Sequence, residues 1–64
     1  MLGENIKKVR KKRKLTQDKL ARLADIPYTT LTKIETGVIK KPSVQAVSKI
    51  ARALSISIDE LIKE

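Results

Sequence analysis

A chain of 64 residues with neither cysteine nor histidine has room for one small domain and offers no disulfide staple, zinc-type ligand set, thiolate nucleophile or imidazole base. Its net charge of +8 is unevenly placed: residues 1–24 carry nine basic and two acidic side chains, residues 25–64 six and five. A polyanion is the natural partner of such a surface, and a membrane is disfavoured, because the sole aromatic, Tyr28, lies far from the basic run and no apolar stretch approaches the roughly 18–20 residues that cross a bilayer.

Apolar residues recur at spacings of three and four throughout, which predicts an all-α fold. The first helix is expected from Glu4 to Arg13, with Leu2, Ile6 and Val9 on one side and Lys7, Lys8, Lys11 and Lys12 elsewhere. Thr16 offers an N-cap hydroxyl to a second helix ending at Ala24, with Gln17 and Asp18 in its first turn and Leu20, Leu23 and Ala24 inward. Asp25 and Ile26 form a short turn, Asp25 tolerating left-handed backbone better than most residues. Pro27 suits the first turn of a third helix that runs to Thr36 with Leu31 and Ile34 inward, and Gly37 supplies its stop. After a loop over residues 38–42, Ser43 caps a fourth helix whose Val44, Val47, Ile50, Ala51 and Leu54 keep core spacing. Ser57 and Glu60 make a capping box for a short fifth helix carrying Ile58, Leu61 and Ile62. The expectation is a compact five-helix bundle filling residues 1–64 as a single domain, in which helices too short to stand alone hold one another by packing.

With Leu31 and Ile34 inward, the third helix turns Tyr28, Thr29, Thr32 and Lys33 outward. A helix of this size fits a major groove about 12 Å wide when its outer face is free of bulky core residues. Lys33 is the expected guanine reader, while the threonine methyls and the Tyr28 ring suit thymine methyls. Gln17 opens a helix, where free amides and the dipole favour an anion. Arg10 follows Ile6 by four and shares the side of Val9, so it points partly inward and needs an anion; Glu35 is the sole acid of the third helix.

The segment from Leu15-Thr16-Gln17-Asp18-Lys19-Leu20-Ala21 through Ile34-Glu35-Thr36-Gly37 resembles the helix-turn-helix family of phage repressors and Cro proteins. Gln opens the second helix, a Leu-Ala pair lies within it, a hydrophobic residue sits in the turn, Ile-Glu ends the third helix and Gly closes it. The resemblance continues through Pro42 and Ile50-Ala51-Arg52-Ala53-Leu54 to Leu61. It implies a repressor-like DNA-binding domain that regulates transcription, with the helix of residues 27–36 in the major groove. It further implies phosphate contacts from Gln17, Thr16, Thr36, Lys40 and Lys41. Arg10 and Glu35 are implied as a salt bridge between the first and third helices, with Arg10 also reaching a phosphate at its exposed edge. The chain departs from the family pattern at Asp25, where Gly is frequent, at Pro27, where Ser or Thr commonly caps, and at Val38, where a polar loop residue is frequent.

One short recognition helix contacts too few base pairs to select an operator, so a double-stranded inverted repeat read by a weak homodimer is expected. Ile56, Ile58, Leu61 and Ile62 exceed what a short terminal helix needs for anchorage and are placed at that interface, a purely internal core role being the alternative. No enzyme is expected, since Ser43, Ser48, Ser55 and Ser57 have no histidine partner and no Gly-rich phosphate loop is present. No cofactor, metal or small-molecule ligand is expected either, and the absence of an export signal points to the cytoplasm. Competing readings are a protein-binding module on the same fold, using the last helix, and, within DNA binding, an antitoxin or a restriction-modification controller. RNA is disfavoured because the A-form major groove is too narrow for this helix.

Overall fold

The apolar spacing folds into five helices in a computed structural model that describes residues 2–63: α1 Leu2–Lys12, α2 Gln17–Ala24, α3 Tyr28–Thr36, α4 Val44–Leu54 and α5 Ile58–Ile62. Among the described residues there is no strand and no helix long and apolar enough to cross a membrane. α1 packs on α3, α4 and α5, α2 packs on α3 and α4, and α4 packs on α5. Ile6, Leu20, Leu31, Ile34, Ile50, Leu54 and Leu61 meet at the centre, so every helix contributes to one core. Each such side chain gains about 1.5–3 kcal/mol by leaving water, which no single helix here could replace by its own propensity.

Three of the connections share one construction. Lys14, Asp25 and Ser55 each adopt left-handed backbone at φ 58°. Their amides donate to Lys11, Arg22 and Arg52 carbonyls, and the amides of the next residues, Leu15, Ile26 and Ile56, donate to Arg10, Ala21 and Ala51 carbonyls. This paired closure satisfies carbonyls that a helix end would otherwise leave open. Leu15, Ile26 and Ile56 then pack against the core, and the following Thr16, Pro27 and Ser57 are the extended N-caps of the next helices. The Thr16 and Ser57 hydroxyls accept from the Lys19 and Glu60 amides at 3.1 Å, as Ser43 does from Ala46 before α4.

Left-handed backbone costs a residue with a Cβ about 1–2 kcal/mol, part of which glycine recovers despite its greater freedom when unfolded. Ser55→Gly is therefore expected to stabilise the fold by about 1 kcal/mol, a rise of roughly 4–8 °C in Tm for a domain of this size. An unchanged or lower Tm would show that the strain at this joint is absorbed elsewhere.

Four expectations shift. α1 starts at Leu2 instead of Glu4 and ends at Lys12, because its first turn lies directly on α3: a Cβ built on Gly3 would stand 2.5 Å from the Ile34 carbonyl oxygen and 2.8 Å from that of Glu35. Pro27 is the N-cap of α3 and not its first helical residue, with ψ 142°. Leu23 is 57% exposed and Ala21 is buried in its stead, while Val44, at the opening of α4, is 80% exposed. The capping box is half formed: Ser57 Oγ accepts from the Glu60 amide, but the Glu60 carboxylate lies 3.5 Å from the same hydroxyl instead of returning to the Ser57 amide.

Candidate nucleic-acid interface

Along α3, Leu31, Ile34 and Glu35 are buried, whereas Tyr28, Thr29, Lys33 and Thr36 are exposed and Thr32 is half-buried. Helical spacing sets these outward residues in one stripe, so the four side chains expected at base edges share a face with Thr36. Their hydrogen-bonding roles are narrower than residue type alone implies. Thr32 Oγ1 donates to the Thr29 carbonyl and Thr36 Oγ1 to the Thr32 carbonyl, both at 2.8 Å. With those hydrogens engaged, Thr32 and Thr36 present a methyl group and an acceptor oxygen, which leaves donation to Tyr28, Thr29 and Lys33. Pro27 supplies no side-chain cap, so the opening amides of α3 are left for solvent or an anion.

Behind this stripe lies a buried ionic centre. Arg10 and Glu35 are each 8% exposed. Arg10 Nε donates to Glu35 Oε2 at 2.8 Å, Nη2 to Oε1 at 3.1 Å, and Nη1 to the Leu15 carbonyl at 2.8 Å. Gln17 Nε2 also donates to Glu35 Oε1, at 3.0 Å. One carboxylate thus gathers donors from α1 and α2 onto α3, and among the described residues no buried side-chain polar atom lacks a partner. The expected Arg10–Glu35 ion pair is present at 2.8 Å, and each guanidinium nitrogen of Arg10 already donates within the fold, to Glu35 or to the Leu15 carbonyl, so that only a small edge of the side chain remains for the phosphate contact also expected of it.

The remaining phosphate candidates are accessible. Gln17 is half-buried at the opening of α2, and Thr16 beside it is exposed, its oxygen taken by the Lys19 amide and its own hydrogen available. Lys40 and Lys41 are exposed in the loop after α3, which the Ile39 amide closes onto the Lys33 carbonyl at 3.0 Å.

The surface expected for a partner subunit contracts. Leu61 is fully buried in the core and has no area to offer, and Ile56 is half-buried against that core. Ile58 and Ile62 remain exposed. Sequence reasoning also missed Asn5, whose Nδ2 donates to the Leu61 carbonyl at 2.9 Å and to that of Lys63, tying α1 to the end of α5. A polar residue set between Leu2 and Val9 on the inward side of a helix was the available signal.

A family model described as helix-turn-helix matches residues 6–61. The chain is 31% identical over 64 residues to the HTH-type transcriptional regulator SinR of Bacillus subtilis (strain 168), covering 100% of this chain and 58% of that protein. It is 36% identical over 63 residues to the immunity repressor protein of Bacillus phage phi105, covering 98% of this chain and 43% of that one. The chain thus spans about half the length of the curated relatives it matches. Among solved structures, SinR in complex with DNA aligns with a TM-score of 0.94 at 30% identity, over 98% of this chain and 100% of that chain.

Proposed function

Since the chain belongs to the helix-turn-helix family, we propose that it binds double-stranded DNA sequence-specifically and acts as a transcriptional repressor, with α3 in the major groove. The stripe of Tyr28, Thr29, Thr32 and Lys33, backed by buried Leu31, Ile34 and Glu35, is the observation that carries this reading. A groove-reading helix needs such a face, whereas a protein-binding face would expose leucine, methionine or further aromatics. Lys33 donates to guanine O6 or N7, and the threonine methyls and Tyr28 ring pack on thymine methyls. Gln17, Thr16, Lys40 and Lys41 hold the phosphates on either side, whereas Thr36, its hydroxyl hydrogen given to the Thr32 carbonyl, has no side-chain donor left for one. The likeness to SinR in complex with DNA supports DNA as the partner, because this chain aligns with the whole of that chain.

Two copies, meeting through Ile58 and Ile62, read an inverted repeat with half-sites about 34 Å apart. The protein carries out no catalysis in this role and works in the cytoplasm. Operator sequences selected from a random DNA pool test the proposal. Log affinity for the selected site should fall linearly with log salt concentration, by about 0.9 for each phosphate neutralised, and the complexes should sediment with two chains per duplex. Lys33→Ala should relax preference at one base pair roughly tenfold while sparing random DNA. Equal losses on selected and random DNA would reject the reading face, salt-independent affinity would reject DNA as the partner, and one chain per full operator would reject the dimer.

A further inference from the structure

Glu35 belongs to the recognition helix but faces away from the groove, and its carboxylate takes one more donor than a salt bridge with Arg10 requires. That donor is Gln17 Nε2, at 3.0 Å from Oε1, on a residue that the proposed function places at a phosphate. We infer that Glu35 is a positioning residue for the DNA backbone contact: it fixes the Gln17 carboxamide before DNA arrives, so that one Nε2 hydrogen is held inside and the other is presented outward. The inference rests on the reading that Gln17 meets a phosphate.

The chemistry of the three groups supports this division of labour. An ionised carboxylate only accepts, so it selects the nitrogen of the amide and turns the oxygen away. A free glutamine side chain has up to about 2 kcal/mol of rotamer freedom to lose on fixation, and a contact whose donor is already fixed in the free protein avoids that loss on binding. A carboxylate alone beside a phosphate would repel it. Arg10 removes that penalty, since its Nε and Nη2 face Glu35 at 2.8 and 3.1 Å and cancel the charge within the fold. The network therefore presents a neutral, oriented donor to the DNA backbone.

The test is a cycle of affinities for the selected operator, measured on the wild-type chain, Gln17→Ala, the paired change of Arg10→Met with Glu35→Met, and all three together. The paired change leaves the net charge unaltered, so long-range attraction to DNA is preserved. In the wild-type background Gln17→Ala should weaken binding about tenfold, the loss of a hydrogen bond to a charged group. Without Glu35 the same substitution should weaken it less than about threefold, because an unfixed glutamine contributes little. Equal losses in both backgrounds would overturn the inference and leave Glu35 a role in folding alone. No loss in the wild type would overturn it as well, while an intact Lys33→Ala effect would show that the DNA reading itself still stands. If the paired variant does not fold, side-chain amide relaxation in the wild-type protein decides: Gln17 should be as restrained as backbone, with an order parameter near 0.85, and exposed Gln45 below about 0.6. A Gln17 as mobile as Gln45 in the free protein would overturn the inference.

Discussion

Arg10→Ala and Glu35→Ala are each expected to destabilise the fold by about 3–5 kcal/mol, because either change leaves an opposite charge buried without its counterion. A chain of this length has a total stability of only about 3–10 kcal/mol, so both variants should lie close to, or beyond, the point of unfolding at room temperature. Arg10→Ala should be the worse of the two, since the stranded carboxylate side chain is 1% exposed whereas the stranded guanidinium is 9% exposed. Arg10→Ala combined with Glu35→Ala should cost less than the sum of the two, because neither charge is then left buried without its counterion. Denaturant titration of the four proteins measures this coupling directly. Additive losses would show that the two groups, despite their 2.8 Å contact, are energetically independent.

Gly3→Ala is expected to cost up to about 3 kcal/mol, the upper part of the range for an overpacked contact. The atoms that a new Cβ would strike, the carbonyl oxygens of Ile34 and Glu35 at 2.5 and 2.8 Å, belong to the backbone. No rotamer change can move them, so either the first turn of α1 peels away from α3 or the whole of α3 shifts. Thermal unfolding reports the loss, and amide exchange locates it: protection should fall first around Asn5–Lys8 if α1 yields. A variant with wild-type Tm and exchange would mean that the two helices have slack at this crossing.

The two glycines show how far the sequence is legible. Gly37 could be read because its function is local: a helix ends there and the backbone turns to φ 87°. Gly3 could not, because what demands it is the backbone of Ile34 and Glu35, far along the chain. The same division runs through the candidate site. Thr16, Ser43 and Ser57 cap helices through bonds that span three residues, and the outward stripe of α3 follows from its own period, so both were visible. Gln17 to Glu35 spans 18 residues and Asn5 to Leu61 spans 56, and no periodicity encodes such partners. Arg10 was readable as an inward cation needing an anion, and the family pattern supplied Glu35; how completely the pair withdraws it from the surface depends on three-dimensional packing. Leu23 and Val44 illustrate a further limit. Helical period identifies a face but not where the core stops, and α2 turns its small Ala21 and Ala24 inward, where they permit close approach.

The shared joints at Lys14–Thr16, Asp25–Pro27 and Ser55–Ser57 have a consequence for the thermodynamics of association. Each passes from a fixed left-handed residue through a core-packed aliphatic one to the cap of the next helix, so none contains a loose residue that DNA would have to order. Ordering backbone on binding costs about 1–2 kcal/mol per residue, whereas immobilising an exposed side chain such as Lys33 or Tyr28 costs about 0.5–1.5 kcal/mol. Beyond the translational and rotational freedom that any association loses, these three joints would then add no ordering cost of their own, and the heat-capacity change they allow would follow the area covered on docking, without the larger contribution that coupled folding adds.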